Sequence, residues 1–478
     1  MNEPTGWDDL IEAVRPYLDT LIDTQRKPST RPVLTDDKTF YESSLAPGPV
    51  PEVSTPLPEL LDEIVSTVLE RGYLNGAHPH YFGYFHPRPL PVAVLGDCIA
   101  SLLNQSPAAW RMGPAAAAME VRTLAWVADF IGYRGAEGSA LPRGIFTSGG
   151  TIANVSALKM ARDAVLGAEV RENGIAREGT RATVYVSAEA HYSLSRAMDM
   201  LGMGRHSLRL VPTDPAGHIR VDALTERIRD DRRAGHRPVA VVGMAGATAT
   251  GAIDPLAELA AIAAEHDMWF HIDGAAAAVF ADLPRTRPAF TGLALADSVT
   301  LDPHKWLFLP YGLGCLLVRD PNRLSGSFSE QAHYWSHDSR TDFVYLGPEG
   351  ARPWKSLGLW LALRHLGREG YEQLLMGNLD VARYLAARVR ATDGLELFAD
   401  PVVPVCCFRA IPQRGVDIDA YNAALHEAVL RRGDVHLTIC RPNDEAYLRV
   451  AVNNHTTRAE HVDALLDAVL EARTTLGP

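Results

Sequence analysis

Apolar residues along this chain fall into short runs that alternate with stretches of helical periodicity. Runs at 144–147, 182–186, 269–273, 297–301 and 312–318 are bounded by glycine or polar residues and have strand length. Helical spacing covers 221–233, 255–266 and 458–472. Strands alternating with helices across 90–355 predict a mostly parallel sheet in an α/β unit. Residues 1–89 differ: 10–14 and 60–65 have helical spacing, and a Pro-rich connector at 46–58 separates them. A third region, 356–478, ends in a strand-like run at 446–452 and the helix at 458–472. There is no internal repeat and no low-complexity tract.

The polar residues of interest follow the strand-like runs. Asp302-Pro303-His304-Lys305-Trp306-Leu307 places one lysine between a polar turn and an apolar run. At a strand end facing the interior an ammonium is costly, its pKa falls, and the amine can form a Schiff base with an aldehyde cofactor. The plain alternative is a lysine that snorkels to solvent. Upstream, Trp269-Phe270-His271-Ile272-Asp273-Gly274-Ala275 ends an apolar strand in a carboxylate followed by very small residues. Pyridoxal phosphate needs such a carboxylate to keep its pyridine nitrogen protonated, and Ala275 is small enough to lie against the ring. An Asp there also suits a helix cap.

Two further segments have the same placement. Gly144-Ile145-Phe146-Thr147-Ser148-Gly149-Gly150-Thr151 reads as strand, glycine turn and helix start. Backbone N–H groups there can cradle a phosphate, Gly149 and Gly150 allow close approach, and Thr151 adds a hydroxyl. The spacing is neither that of a P-loop nor that of a dinucleotide fingerprint, and many such turns hold no ligand. His191, in Ala188-Glu189-Ala190-His191-Tyr192, follows the run at 182–186 and is placed either to stack on a cofactor ring or to serve as a cap or core residue. All four segments lie at the carboxyl ends of expected strands, where ligands bind in such sheets.

Composition narrows the class without naming a substrate. The chain has 478 residues, 47% of them hydrophobic, enough for a sizeable core and more than one structural unit. A net charge of −12 argues against nucleic acid or an anionic membrane as the main partner. The five cysteines (Cys98, Cys315, Cys406, Cys407, Cys440) show no zinc-ligand spacing and are expected as reduced thiols in a cytoplasm. The polar, acidic start Met1-Asn2-Glu3-Pro4 does not read as a signal peptide, and no apolar run has membrane-spanning length.

In combination and order, the four segments resemble the group II pyridoxal-phosphate-dependent amino acid decarboxylases, from about His78 to the C-terminus. The resemblance implies a fold type I (aspartate aminotransferase-like) α/β protein: an N-terminal helical dimerisation segment (1–89), a large cofactor-binding domain (90–355) and a small C-terminal α/β domain (356–478). It also implies a homodimer with composite active sites. Lys305 is then the Schiff-base lysine, Asp273 the pyridinium partner and His191 the stacking residue. Gly150, Thr151 and His304 hold the phosphate, with Gly149, Ala275 and Asp302 beside them, and Thr248 approaches the ring.

The same resemblance implies decarboxylation of an L-amino acid to its amine. In these enzymes a loop tyrosine returns a proton to Cα, and a phenylalanine there is associated with aldehyde formation. Tyr334 stands at the matching place in 329–338. Tyr84, Phe85 and His86 in the entrance segment and Asn104 in Asn104-Gln105-Ser106 are candidate substrate contacts. Pro87 stands where aromatic-specific relatives carry a threonine. Asn453 to Thr457 form a further polar turn, and Arg352 and Lys355 are open to a phosphate, a substrate acid or solvent. The alternatives are an aldehyde synthase, a carbon–carbon lyase of the sphingosine-phosphate-lyase kind, and a non-catalytic cofactor-binding scaffold.

Overall fold

Seven strands, five of them at the expected runs, pair into one sheet: β1 (Gly144–Thr147), β2 (Ala182–Ser187), β3 (Leu208–Val211), β4 (Arg237–Met244), β5 (Trp269–Asp273), β6 (Ser298–Leu301) and β7 (Gly314–Val318). The computed structural model describes residues 6–36, 38–45, 47–134, 143–175, 181–330 and 341–477. Strand order is β1-β7-β6-β5-β4-β2-β3, with β7 antiparallel to both its neighbours and the remaining strands parallel to one another. Every residue of β1, β2, β5, β6 and β7 is buried, both faces of the sheet being covered. The run at 312–318 starts as a strand only at Gly314, because Gly312 sits in a turn at φ +99°.

Four more strands form an antiparallel sheet in the order β10-β11-β9-β8: β8 (Leu395–Leu397), β9 (Val405–Ala410), β10 (Thr438–Cys440) and β11 (Tyr447–Ala451). The helices Ile418–Arg432 and Ala459–Leu476 pack on it. Both sheets share the helical stretch Ser356–Arg390, which the sequence pattern did not reveal and which breaks at Gly367 (φ 65°). Its Leu359, Ala362, Tyr371 and Leu375 join the core of the large sheet, whereas Val381, Leu385 and Val389 join the core of the small one. A helix facing two cores in succession has apolar residues on changing faces, so no single periodic stripe marks it.

The N-terminal region forms the helices Trp7–Arg26, Lys38–Ser44 and Leu57–Val65, the last continuing into the π-helical turn Ser66–Arg71. The expected spacings at 10–14 and 60–65 fall within the first and third. Trp7, Ile11, Leu18, Ile22 and Ile64 remain exposed on them. Among the described residues no helix is long and apolar enough to cross a membrane.

Three imidazoles, two of them buried and one partly buried, make stability depend on pH. Burial pushes His78, His271 and His455 each down to about 4. In the unfolded chain each takes up a proton as pH falls through about 6.5, whereas in the folded chain each stays neutral. Their contribution is therefore complete above about pH 6.5 and is lost as pH falls toward about 4. Urea midpoints are expected to drop between about pH 6.5 and about pH 5, above the carboxylate range. A flat or rising midpoint across that window would contradict this.

Candidate active site

The carboxyl ends of β1, β2, β4, β5 and β6 open onto one cavity of about 310 Å3, at the lower end of the roughly 300–1,000 Å3 range of small-molecule pockets. Gly149, Gly150, Thr151, His191, Thr248, Asp273, Ala275, Asp302, His304 and Lys305 all line it. The chain segments carrying them are tied to one another by backbone bonds: Gly274 N donates to Thr300 O (3.0 Å) and Asp302 N to Ala275 O (3.3 Å).

Lys305 points into this cavity because its neighbour is anchored away from it. The Trp306 ring is fully buried against Phe85 and Phe280, and its Nε1 donates to Val452 O at 3.0 Å. Lys305 Nζ lies 3.1 Å from Asp302 Oδ2 and 5.4 Å from the centre of the Phe85 ring. Three residues after Lys305, Phe308, a bulky buried side chain, takes φ +55°, where non-glycine residues are strained. That residue closes the turn, donating its N–H to Lys305 O (3.1 Å) and accepting at its own oxygen from Leu90 N (2.8 Å).

The opposite wall is the start of the helix Gly150–Leu166, which has no side-chain cap. Its first turn therefore offers N–H groups and the positive end of the helix dipole to an anion. A Cβ on Gly150 would lie 2.9 and 3.1 Å from the Asp302 oxygens and 3.2 Å from Ala275 Cβ. A Cβ on Gly314 would lie 2.5 Å from the backbone of Gly149, so the turn between β1 and this helix fits only because β7 meets it with glycine. His304 Nδ1 lies 2.7 Å from Leu313 O. A carbonyl only accepts, so Nδ1 carries a proton and Nε2 is left toward the cavity.

Asp273 is almost fully buried at the end of β5. Its Oδ1 accepts from Ala275 N (3.2 Å) and its Oδ2 from Asn154 Nδ2 (2.9 Å). His191 lies at the cavity edge, and burial, the largest influence on it, holds its imidazole below the ordinary value. Among the described residues Asp302 Oδ1 is buried without a partner, an acceptor on hand for a donor on a bound molecule.

A wider cavity of about 930 Å3 adjoins the first and shares His191 and Thr248 with it. Tyr84, Glu189, Tyr192, Cys440 and Arg449 also line it. The other expected substrate contacts lie outside both cavities. Phe85 is a buried floor beneath Lys305, and His86 packs edge-on to Tyr311 (5.0 Å). Asn104 is the exposed C-cap of the helix Pro91–Leu103, at φ 48°. Arg352 is buried against Glu120, and Lys355 pairs with Asp97, so both cations are already paired within the chain. Tyr334 lies outside the described residues.

The sequence pattern did not single out Asn154, Ser193 or Arg449 as functional. Asn154 stands one helical turn after Gly150 on a face otherwise lined by small and apolar residues, which was the available signal. Arg449 interrupts the otherwise apolar β11 and is almost fully buried. Its Nε donates to Thr248 O and Ala249 O, both at 3.0 Å, and Nη1 donates to Gly83 O at 3.1 Å. No carboxylate pairs with it among the described residues. It fixes the Thr248 loop of the large sheet to the small one.

Comparison with known proteins gives a consistent family. The model of the pyridoxal-dependent decarboxylase conserved domain matches residues 40–411. The aromatic-L-amino-acid decarboxylase of Bacillus atrophaeus is 30% identical, over 94% of this chain and 92% of that protein. The L-2,4-diaminobutyrate decarboxylase of Acinetobacter baumannii is 29% identical, over 82% and 79%. A crystal structure of Oryza sativa TDC with PLP and tryptamine superposes with a TM-score of 0.91 over 100% of both chains, at 25% identity.

The glycine cradle can be tested directly. Gly150→Ala pushes a methyl group against Asp302, the partner of Lys305, and is expected to weaken pyridoxal phosphate binding at least about tenfold. Absorbance titration of the cofactor-free protein measures this, and unchanged affinity would remove the cradle from the account.

Proposed function

The chain belongs to the pyridoxal-dependent decarboxylase family, and we propose that it releases the α-carboxyl group of an L-amino acid as CO2, leaving the amine. Pyridoxal phosphate is its cofactor. The observation that carries the reading is the convergence of Lys305, Asp302, Asp273, His191 and an uncapped helix start on one cavity. The residues fit the group: an amine for its aldehyde, a carboxylate for its ring nitrogen, and a glycine cradle with free helix amides for its phosphate. When bound, the cofactor supplies an electron-withdrawing ring that lets the carboxylate bond of an attached amino acid break.

The remaining work falls to this chain's side chains. Lys305 is the amine that carries the cofactor, and Asp302 orients it from 3.1 Å. Asp273 keeps the ring nitrogen protonated. Gly149, Gly150, Thr151 and His304 hold the phosphate, His191 and Ala275 cover the ring, and Thr248 approaches it from the loop that Arg449 fixes. The amino acid enters through the wider cavity, past Tyr84 and Tyr192. After CO2 leaves, Cα must receive a proton, and Tyr334 is assigned as donor because a phenol stays protonated at neutral pH. A Phe at that place would favour the aldehyde product.

We also assign a homodimer in a cytoplasmic setting. The apolar residues left exposed at the N-terminus, with Leu102 and Leu103 beside Asn104, suit burial against a second copy. Asn104 then contributes to a site only across that interface. The five unpaired thiols suit a reducing compartment.

Release of CO2 with amine in equal amounts from one class of L-amino acid is the expected result with purified protein and pyridoxal phosphate. No CO2 from aromatic, acidic, basic or aliphatic substrates would refute decarboxylation. Lys305→Ala should abolish both turnover and the visible absorbance of the bound cofactor, and surviving turnover would remove Lys305 from its role. Tyr334→Phe should lower amine formation at least about tenfold or divert it to aldehyde. Undiminished amine would dismiss Tyr334 as proton donor.

A further inference from the structure

Alternate residues of β5 point to one face, so Trp269, His271 and Asp273 line up in that order toward the cavity. His271 lies opposite Ser298 in the register of β5 with β6, and Asn154 reaches the same layer from the helix Gly150–Leu166. All five side chains are buried, His271 and Ser298 completely. Trp269 Nε1 donates to Ser298 Oγ (2.9 Å), and His271 Nδ1 lies 2.9 Å from the same oxygen. His271 Nε2 lies 3.1 Å from Asn154 Oδ1, and Asn154 Nδ2 donates to both Asp273 Oδ2 (2.9 Å) and Ser193 Oγ (3.0 Å).

The donors and acceptors are assigned from Asp273 outward; Ser298 O, 3.2 Å from His271 Nδ1, is a second oxygen beside that nitrogen, farther than the hydroxyl. An ionised carboxylate accepts and never donates, so the Asn154 amide must turn its NH2 to Asp273 and its oxygen to His271. That oxygen accepts only, so His271 carries its proton on Nε2. Burial pushes the imidazole down to about 4, which leaves it neutral at physiological pH with Nδ1 as an acceptor. Ser298 therefore gives its hydroxyl proton to Nδ1 while receiving the indole N–H. Every hydrogen bond points the same way, and the last one ends on Asp273.

We propose that Trp269, Ser298, His271 and Asn154 form a one-way hydrogen-bond relay that holds the Asp273 carboxylate oriented toward the cofactor, with His271 and Asn154 as positioning residues. This rests on the functional reading above, in which Asp273 meets the cofactor's ring nitrogen. Both Asp273 oxygens already face N–H donors, from Asn154 and from Ala275. One N–H donor on each oxygen fixes the plane of the carboxylate and leaves its remaining acceptor sites for the cofactor. A flipped Asn154 amide would turn its oxygen to Asp273 and lose that bond, and the Nε2–H of His271 opposes the flip. His271 thus positions Asp273 through Asn154 while touching neither cofactor nor substrate.

The test uses the full-length protein loaded with pyridoxal phosphate. Nitrogen-15 spectra of labelled wild-type protein should show His271 protonated at Nε2 and bare at Nδ1, unchanged between about pH 6 and about pH 8. The opposite tautomer overturns the relay. His271→Phe keeps the ring shape without a donor and should cut kcat about tenfold while KM stays within about twofold. It should also shift the visible band of the bound cofactor. His271→Gln places an N–H where Nε2–H stood and should recover most of the lost kcat and the original band. Equal losses in both variants, with an unmoved band, would reduce His271 to packing. A wild-type protein that gives no cofactor band at all would sink the functional reading instead, and the tautomer measurement would still decide the relay.

Discussion

Burial of the Trp306 indole decides where its neighbour Lys305 points, and most of the site depends on that. The ring is clamped between Phe85 and Phe280 and tethered to Val452 O at 3.0 Å. Burying an aromatic of this size outweighs the roughly 1–3 kcal/mol expected for the left-handed backbone of Phe308 that closes the same turn. With the indole held in the core, the lysine emerges on the other side, against Asp302. A long flexible amine becomes a fixed group because the residue beside it has nowhere else to go.

The cavity beside Lys305 belongs to the large sheet, but its walls depend on the small one. Arg449 reaches from β11 to the carbonyls of Thr248, Ala249 and Gly83. Val452, just beyond the same strand, accepts from both Trp306 and Asn378. Burying a guanidinium is costly unless its donors are met, and here backbone carbonyls of two separate segments and the Thr438 hydroxyl take Nε and Nη1. The arrangement makes the packing of the two sheets a condition for the shape of the site, rather than a neighbouring event.

Fixed dipoles, more than opposed charges, set the electrostatics of the cavity. The helix Gly150–Leu166 presents uncapped amides, His304 is held by a carbonyl in one tautomer, and Asp273 sits at the end of a file of donors. Groups oriented before a ligand arrives need no rearrangement when charge develops, and low polarity strengthens each of them. Such an arrangement needs close approach, which is why Gly150 and Gly314 stand where any side chain would collide.

Much of this was legible along the chain. The strand-like runs, the helices at 221–233 and 458–472, and the order of Lys305, Asp273, Gly150 and His191 after those runs follow from period, turn residues and strand-end placement, which are local properties. The helix Ser356–Arg390 was hidden because it serves two cores with changing faces. Phe85 and His86 share their stretch with Tyr84, yet only packing shows that Tyr84 borders a cavity while its neighbours fill space. Asn154, His271 and Arg449 gain their meaning from partners more than a hundred residues away, at Asp273, Asn154 and Thr248. By itself the sequence determined which residues end which strands, since that depends on neighbours in the chain. Which of them meet, and in which direction each hydrogen bond runs, was decided only by tertiary structure, because hydrogen bonds act over about 3 Å whatever the separation along the chain.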